Sequence, residues 1–281
     1  MTPVPGEEHP PPPAVRRALA PLMADPGHSA IVTDFDGTLS PIVDDPTRAR
    51  PLAGAVDLLE RLSSRFAVVA VVSGRPVSFL VEHLSPPGRG GPPRPPGSAG
   101  TVHLVGLYGL ERSAPDGSVI YEPGALRWRA AVAAAADRLQ SSAPPGVVVE
   151  DKGLAVTVHW RRAPGAGGWA VAAATDAAVA GGLSAHPGRM SVELRPDLAV
   201  DKGSVVRDLV TGCAAACYLG DDLGDLPAFA ALSDLAAEKG MDTVSVAVVD
   251  DESAVGVLEA ADLTVSGPGA ALSVLGWLAG P

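Results

Sequence analysis

Strand-length apolar runs alternate with helix-length amphipathic segments over much of this chain, and no other feature constrains its fold as strongly. The run over 66–72, Phe-Ala-Val-Val-Ala-Val-Val, is apolar throughout, which is typical of a strand covered on both faces. Segment 54–62 instead spaces Val56, Leu59 and Leu62 at helical intervals. This alternation predicts an α/β fold with a parallel sheet. The other predicted strands cover 30–35, 102–108, 214–219 and 244–249, and the other helices cover 77–84, 204–210 and 226–237.

Residues 113–190 follow a different pattern, which predicts a separate α+β unit inserted into the parallel-sheet fold. A turn at Asp116 and Gly117 precedes a predicted helix over 125–139. Two strands, a second helix and two further strands complete the unit, over 147–149, 154–160, 169–180, the region of Leu183, and 190–194. The predicted order is therefore a Pro-rich leader with a short helix over 1–27, core over 28–112, insert over 113–190, and core again over 191–281.

The charge balance narrows the partners and the location of the chain. Its 281 residues include 21 Lys+Arg against 32 Asp+Glu, a formal net charge of −11. Nucleic acids and anionic membranes both select clustered Lys and Arg, so we expect neither as a partner. No stretch reaches the roughly 18 apolar residues of a membrane span, and no secretory signal precedes the fold. With only Cys213 and Cys217 there is no disulfide framework, and a cytoplasmic location is expected.

Carboxylates follow two of the predicted strands at the point where each strand ends. Residues 34–38 read Asp-Phe-Asp-Gly-Thr, and strand alternation puts Asp34 and Asp36 on one side. Residues 220–225, Gly-Asp-Asp-Leu-Gly-Asp, add Asp221 and Asp225. Open α/β sheets bind ligands at this edge, and oxygen ligands suit a hard cation such as Mg²⁺. A capped helix start would account for one or two acids of the second motif, but not for all three.

Two further motifs supply groups that could bind an anion. Residues 73–75, Ser-Gly-Arg, follow the strand over 66–72, where a hydroxyl and free backbone N–H groups can bind phosphate. An ordinary capped helix would have the same sequence. Residues 201–203, Asp-Lys-Gly, begin another predicted helix, where the helix dipole disfavours a lysine. Lys202 is therefore expected to neutralise the carboxylates or a phosphoryl group.

In this order the four motifs resemble the haloacid dehalogenase superfamily of phosphotransferases. The resemblance implies a Rossmann-like parallel-sheet core with an inserted α+β cap domain. It also implies that Asp34 attacks phosphorus, that Asp36 is the general acid and base, and that Lys202 stabilises the phosphoryl group. The remaining implied roles are phosphate binding by Ser73, Gly74 and Arg75, Mg²⁺ binding by Asp34, the backbone carbonyl of Asp36 and Asp221, and support of that site by Asp225.

The residues around these motifs resemble trehalose-6-phosphate phosphatases over residues 28–280. The matching segments are Asp-Phe-Asp-Gly-Thr-Leu-Ser-Pro-Ile-Val-Asp-Asp-Pro at 34–46, Glu-Asp-Lys-Gly-Leu at 150–154 and Val-Glu-Leu-Arg-Pro at 192–196. This resemblance implies Mg²⁺-dependent hydrolysis of trehalose 6-phosphate through an aspartyl phosphate, with Glu150, Lys152 and Glu193 binding the distal glucose. Without it, Glu150 and Lys152 would be interpreted as an exposed pair on a hairpin.

The sequence departs from the family pattern at several positions, which include Leu226 and Pro227 after Asp225 and the insertion over 85–100, and other functions stay open. Tyr108 stands where many members have His, and Gly224 stands where Thr is common. A phosphatase of sucrose phosphate or glucosyl-3-phosphoglycerate would keep the core motifs and change the cap. A non-catalytic sugar-phosphate sensor is a further alternative, and a phospho-acceptor signalling domain would be about half as long. We expect a small-molecule sugar phosphate as the partner, and a monomer.

Overall fold

The computed structural model describes residues 11–85, 100–114, 116–251 and 253–280, which form two β-sheets and the helices that cover them. Expectations for the leader over 1–10 and the Pro/Gly-rich loop over 86–99 lie outside the described residues. The strands are β1 (Ser29–Thr33), β2 (Val68–Val72), β3 (Val102–Gly106), β4 (Glu111–Ser113), β5 (Val119–Tyr121), β6 (Val148–Asp151), β7 (Val156–His159), β8 (Leu183–Gly188), β9 (Ser191–Pro196), β10 (Ala215–Gly220), β11 (Asp242–Val249) and β12 (Leu263–Ser266). The helices are α1 (Pro13–Ala18), α2 (Ala20–Ala24), α3 (Ala55–Ser63), α4 (Val77–Leu84), α5 (Arg129–Ser142), α6 (Gly167–Gly181), α7 (Lys202–Leu209), α8 (Leu226–Lys239), α9 (Val255–Ala260) and α10 (Gly267–Ala279).

The larger sheet has the order β12-β11-β10-β1-β2-β3-β4-β5. From β12 to β3 the strands are parallel, and β4 and β5 add an antiparallel edge. Strand β1 lies at the centre of the site-bearing strands, with Thr33 opposite both Leu219 of β10 and Val71 of β2. The loops after β1, β2 and β10 therefore leave the same edge of the sheet, and this brings the acidic and phosphate-binding motifs together.

Helices cover both faces of this sheet because its strands are apolar on both sides. Ile31 faces a buried layer formed with α1, α2, α3, α4 and α10. The next residue, Val32, faces the opposite layer, formed with α7, α8 and α9. The expected α/β fold with a mainly parallel sheet is confirmed. Among the described helices, none is long and apolar enough to cross a membrane.

The smaller sheet is antiparallel, with the order β6-β7-β9-β8, and α5 and α6 cover one of its faces. Strand alternation directs Val156 and Val158 of β7 into that apolar layer. Polar side chains occupy the opposite face. The register sets Glu150 opposite Thr157 and Thr157 opposite Glu193, so these three residues form a row across the sheet.

The strands at both ends of the predicted insert do not join the sheets that its predicted limits imply. Strands β4 and β5 pair into the larger sheet, so residues up to Tyr121 belong to the core rather than to an insert that begins at 113. Strand β9 pairs with β7 and β8, so Glu193 lies in the cap rather than in a core segment that begins at 191. The β4–β5 and β8–β9 pairs are both hairpins, and local alternation alone does not say which sheet a hairpin joins.

Candidate active site

A cleft of about 350 Å³ lies between the carboxyl ends of the core strands and the polar face of the smaller sheet. Side chains from the core and from the cap both line it, so the separate sequence motifs converge on one place. The predicted residues that line the cleft are Asp34, Asp36, Ser73, Gly74, Arg75, Glu150, Lys152, Glu193, Lys202 and Asp221. Asp225 is fully buried beneath them.

Asp34 and Lys202 form a buried ion pair at the base of the cleft. Asp34 follows β1, and its Oδ1 accepts a hydrogen bond of 2.6 Å from the backbone N–H of Phe35. The Nζ of Lys202 lies 3.0 Å from the other oxygen of Asp34 and 2.6 Å from Oδ1 of Asp225. Burial opposes the charge of Lys202, but Asp225 and Asp34 outweigh it and raise the pKa of the ammonium well above its usual value. Lys202 therefore stays a cation beside Asp34.

Four carboxylates close to this pair form a donor set that suits a hard cation. They can each place an oxygen within 4.8 Å of the others, and they belong to Asp34, Asp221, Asp222 and Asp225. Burial, together with the neighbouring acids, raises the pKa of Asp34 and Asp221 well above the usual value, although Lys202 opposes the shift at Asp34. A divalent cation would relieve this repulsion, and oxygen ligands are those that Mg²⁺ prefers.

Gly37 makes room for one of these carboxylates. Its φ of 75° lies in the left-handed region, where glycine is favoured. A Cβ at this position would lie 2.1 Å from an oxygen of Asp221, so any other residue would force that carboxylate away. The glycine of the first motif therefore preserves the acidic site as well as the turn after β1.

The Arg75 side chain contacts a carboxylate of the core and reaches toward the cap. Its Nε and Nη2 donate to the two oxygens of Asp36 at 2.7 and 2.8 Å, and its Nη1 donates to the carbonyl of Pro46 at 2.9 Å. Nη1 also lies 3.5 Å from Oε1 of Glu150 in the cap. The guanidinium is directed at carboxylates because its planar fork matches their geometry. Arg75 therefore holds Asp36 and reaches the cap.

The loop after β2 supplies small polar groups to the cleft. Ser73 is buried, and its hydroxyl accepts a hydrogen bond of 3.2 Å from the backbone N–H of Arg75. The carbonyl of Gly74 accepts a hydrogen bond of 3.1 Å from Nζ of Lys152, a cap residue. This loop thus joins the core motifs to the cap directly.

The cap side of the cleft is a network of charged and hydroxyl groups. Lys152 Nζ and Thr157 Oγ1 both donate to Oε1 of Glu193, at 2.7 and 2.9 Å. Glu150 Oε2 lies 3.0 Å from Nε2 of His159. Oε2 of Glu193 is buried and accepts no hydrogen bond within the part of the chain that the structure describes, with Arg195 3.9 Å away. Arg195 is therefore the cation that faces this oxygen.

Both cap carboxylates stay ionised despite their burial. Burial opposes ionisation of Glu150, but the hydrogen bond to His159 and the charges of Lys152 and Arg75 outweigh it and lower its pKa to about 2. Burial also opposes ionisation of Glu193, but the charges of Lys152 and Arg195 outweigh it and lower the pKa of Glu193. Ionised carboxylates accept strong hydrogen bonds, which suits recognition of sugar hydroxyls.

Sequence reasoning did not assign three residues that the fold brings to the cleft. Asp222 completes the acidic cluster, although it also caps the following turn by accepting from Gly224 N–H at 2.8 Å. Thr157 enters through strand register opposite Glu193, a signal available only once β7 and β9 are paired. Arg189, in the β8–β9 turn, lies 2.7 Å from Asp250 and 3.3 Å from the carboxylate of Asp221. No local pattern predicts that contact.

We compared the chain with protein-family models and with curated proteins. The family model described as trehalose-phosphatase matches residues 32–262. A trehalose-phosphate phosphatase of Mycobacterium avium is 40% identical over 215 residues, covering 73% of this chain and 51% of that protein. The corresponding protein of Mycobacterium tuberculosis is 37% identical over 213 residues, covering 71% and 50%. The chain thus spans about half the length of the curated relatives it matches.

Solved structures share the fold. The C-terminal domain of Candida albicans trehalose-6-phosphate phosphatase superposes with a TM-score of 0.76 at 24% identity, covering 97% of this chain and 99% of that one. A trehalose-6-phosphate phosphatase related protein superposes with a TM-score of 0.71, also at 24% identity, covering 89% and 96%. Both alignments are longer than the core alone, so each extends into the insert. Because the family model extends over most of its length, the chain belongs to the trehalose-phosphatase family.

Proposed function

We propose that this protein hydrolyses trehalose 6-phosphate to trehalose and phosphate in a Mg²⁺-dependent reaction. The observation that carries the proposal is a single cleft whose base and roof differ in chemistry. Its base holds Asp34 against the buried cation of Lys202, and its roof holds the cap carboxylates Glu150 and Glu193. A phosphate ester suits the base, and a disaccharide rich in hydroxyl groups suits the roof. The names of the relatives agree with this pairing.

Two chemical steps follow from the roles of the acids. An oxygen of Asp34 bonds to phosphorus as the bond from phosphorus to the sugar oxygen breaks, and Asp36 gives that oxygen its proton. Trehalose is released, and the phosphoryl group remains bonded to Asp34 as an aspartyl phosphate. In the second step Asp36 accepts a proton from water as the water oxygen attacks phosphorus, and phosphate leaves Asp34 free. Arg75 supports this role because its two hydrogen bonds orient the carboxyl group of Asp36.

The charged groups around Asp34 support the phosphoryl group. Ser73 and the backbone N–H groups of its loop would bind phosphoryl oxygens, and Lys202 would offset their charge. Asp34, Asp221 and the backbone carbonyl of Asp36 would hold Mg²⁺, which supplies further positive charge to the phosphoryl oxygens when bound. Asp225 holds Lys202 and accepts from the backbone N–H groups of Asp221 and Asp222, at 2.9 and 3.1 Å, so it fixes this loop.

The test is phosphate release from four substrates: trehalose 6-phosphate, sucrose 6-phosphate, glucose 6-phosphate and glucosyl-3-phosphoglycerate. Each is assayed with Mg²⁺ and with EDTA. We expect trehalose 6-phosphate to be strongly preferred and its hydrolysis to cease in EDTA. Asp34→Asn should abolish turnover in a protein that still folds, as circular dichroism can verify. Preference for another substrate would overturn the sugar assignment, and turnover by Asp34→Asn would overturn the nucleophile.

A second comparison isolates the cap. Glu150→Gln should raise KM for trehalose 6-phosphate by about tenfold or more, the worth of a charge-assisted hydrogen bond. An aryl phosphate, which has no sugar to contact Glu150, should be hydrolysed as before. Glu259→Gln, on the exposed face of α9, is the matched control. Equal losses on both substrates would remove Glu150 from sugar recognition.

A further inference from the structure

The phenol of Tyr108 is wedged between the two loops that carry the phosphate-binding and acidic motifs. A Cβ at Gly74 would lie 2.8 Å from the Tyr108 hydroxyl oxygen, so the phenol packs directly on the backbone of the loop after β2. A Cβ at Gly224 would lie 3.2 Å from Tyr108 Cε1, on the side of the acidic loop. Tyr108 and Gly224 are two of the positions where the sequence departs from the family pattern, and the fold places them in contact. These two departures therefore form one local arrangement.

The backbone at Tyr108 is held in an uncommon conformation. Leu107 and Tyr108 have φ angles of 48° and 58°, in the left-handed region that bulky residues rarely adopt. The N–H of Tyr108 donates to the carbonyl of Ser73, and the N–H of Leu107 donates to that of Arg75, both at 3.0 Å. Strain of this kind persists where the surrounding structure imposes it, and it concentrates at functional sites. Here the strain turns the phenol toward the cleft rather than away from it.

Two cations fix the ring, while its hydroxyl is left without a hydrogen bond. The guanidinium carbon of Arg195 lies 3.9 Å from the ring centroid, and Nζ of Lys202 lies 5.6 Å from it. Both distances are within the range of cation–π attraction. Within the described residues, the Tyr108 hydroxyl has no hydrogen-bond partner, although the side chain lines the cleft. Burial, with the charges of Glu193 and Asp222, raises its pKa well above 10, so it remains a donor.

We propose that the Tyr108 hydroxyl donates a hydrogen bond to the phosphoryl group of the substrate, and that Gly224 is needed to admit the phenol. The proposal rests on the proposed function, since it assumes that the cleft accepts a phosphate monoester. The hydroxyl lies against Gly74 of the phosphate-binding loop, and the ring lies 5.6 Å from Nζ of Lys202, so the phosphoryl group is a nearer acceptor than the distal sugar. Tyr108 thus adds a neutral donor to the cationic and backbone groups that surround this group.

The direct test is Tyr108→Phe, which removes the hydroxyl and keeps the ring in place. We expect binding of inorganic phosphate in the presence of Mg²⁺, measured by calorimetry, to weaken about 10- to 100-fold, as for loss of one donor to a charged group. Hydrolysis of an aryl phosphate and of trehalose 6-phosphate should fall by equal factors. The melting temperature should not change, because the hydroxyl has no protein partner to lose.

Each alternative outcome contradicts a different statement. Unchanged phosphate binding, or a loss confined to trehalose 6-phosphate, would overturn the assignment of the hydroxyl to the phosphoryl group. A lower melting temperature with unchanged phosphate binding would assign it a structural role instead. Wild-type protein that binds phosphate and hydrolyses an aryl phosphate but not trehalose 6-phosphate would overturn the proposed function and leave this inference intact.

The contact with Gly224 is tested by a double-mutant cycle. A Cβ there meets Asp222 Oδ1 at 3.0 Å as well as Tyr108, so Gly224→Ala should displace the phenol and weaken phosphate binding. In the Tyr108→Phe background the same change should cost less, because the hydroxyl is already gone. Gly256→Ala is the matched control, since a Cβ at that position meets no atom within 4 Å. Strictly additive losses would overturn the coupling.

Discussion

Lys202 offsets the repulsion between two buried carboxylates. Its side chain is 2% exposed, and its ammonium lies between carboxylates of Asp34 and Asp225. A buried charge is tolerated only where it is paired and hydrogen-bonded. The helix dipole at the start of α7 disfavours the lysine, so the two carboxylates supply the free energy that keeps it there. Tyr218 donates to the same oxygen of Asp225 at 2.6 Å and completes the arrangement.

We predict that Lys202→Met both inactivates and destabilises the protein. Removing the cation leaves buried carboxylates without compensation, which costs roughly 3–5 kcal/mol when one partner of a buried pair is lost. Urea unfolding measures the free-energy difference, and phosphate release measures the activity. Lys239→Met, at the exposed end of α8, is the control and should leave both unchanged. Stability equal to that of the control would show that the acids are neutral without Lys202.

Helix α7 shows how an element places a catalytic group. Its N-cap is Asp201, whose side chain accepts from Ser204 N–H at 2.8 Å, while the Ser204 hydroxyl accepts from Asp201 N–H at 3.0 Å. This capping box fixes the first turn of the helix. Because Lys202 is the first residue of that turn, the box also fixes where the lysine backbone begins.

We therefore predict that Asp201→Ala weakens both the helix and the site. Loss of an N-cap costs about 1 kcal/mol, and a frayed first turn should lower kcat by more than it changes KM. Thermal unfolding and steady-state kinetics measure the two effects. Asp137→Ala, on the exposed face of α5, should change neither. An unchanged kcat in Asp201→Ala would mean that Asp34 and Asp225 hold Lys202 without help from the cap.

Some of these elements could be predicted from the sequence, and others could not. The core strands were predictable because β1, β2 and β10 are mainly apolar and are followed by polar motifs. The cap limits were not, because the β4–β5 and β8–β9 hairpins carry no local mark of the sheet they join. Arg75 illustrates the same limit within the site. Its motif indicates an anion-binding loop, but its side chain is directed by Asp36, which lies on another strand end.

Several polar contacts cross the cleft between the cap and the core. Lys152 reaches the carbonyl of Gly74, Glu150 lies near Arg75, and Arg189 lies near Asp221. Each contact joins the cap to a residue or loop of the core site. Closure of the cap and order in the site are therefore linked through the same atoms.

The ionisation of Glu150 should make the free energy of unfolding depend on pH. The pKa of Glu150 in the folded protein is about 2 against an ordinary 4.5, so its ionised form contributes stability that is complete above 4.5 and is lost as the pH falls toward 2. The difference in unfolding free energy between wild type and Glu150→Gln should shrink by about 2 kcal/mol between about pH 6 and about pH 3. Chemical denaturation at the two pH values measures it. For Glu259→Gln the difference should stay constant, and a constant difference for Glu150→Gln would exclude the ionic contribution.

The cap is inserted between β5 and α7, so the chain connects it to the core at both of its ends. A covalent tether turns an association into an intramolecular event at high effective concentration. The contacts that Glu150 and Lys152 make with the core therefore need little intrinsic affinity to bring the two surfaces together. The same cap supplied as a separate chain would have to find the core by diffusion. Because the tether rather than the strength of these contacts keeps the cap beside the core, Glu150 can contact Arg75 and still be free to bind a sugar.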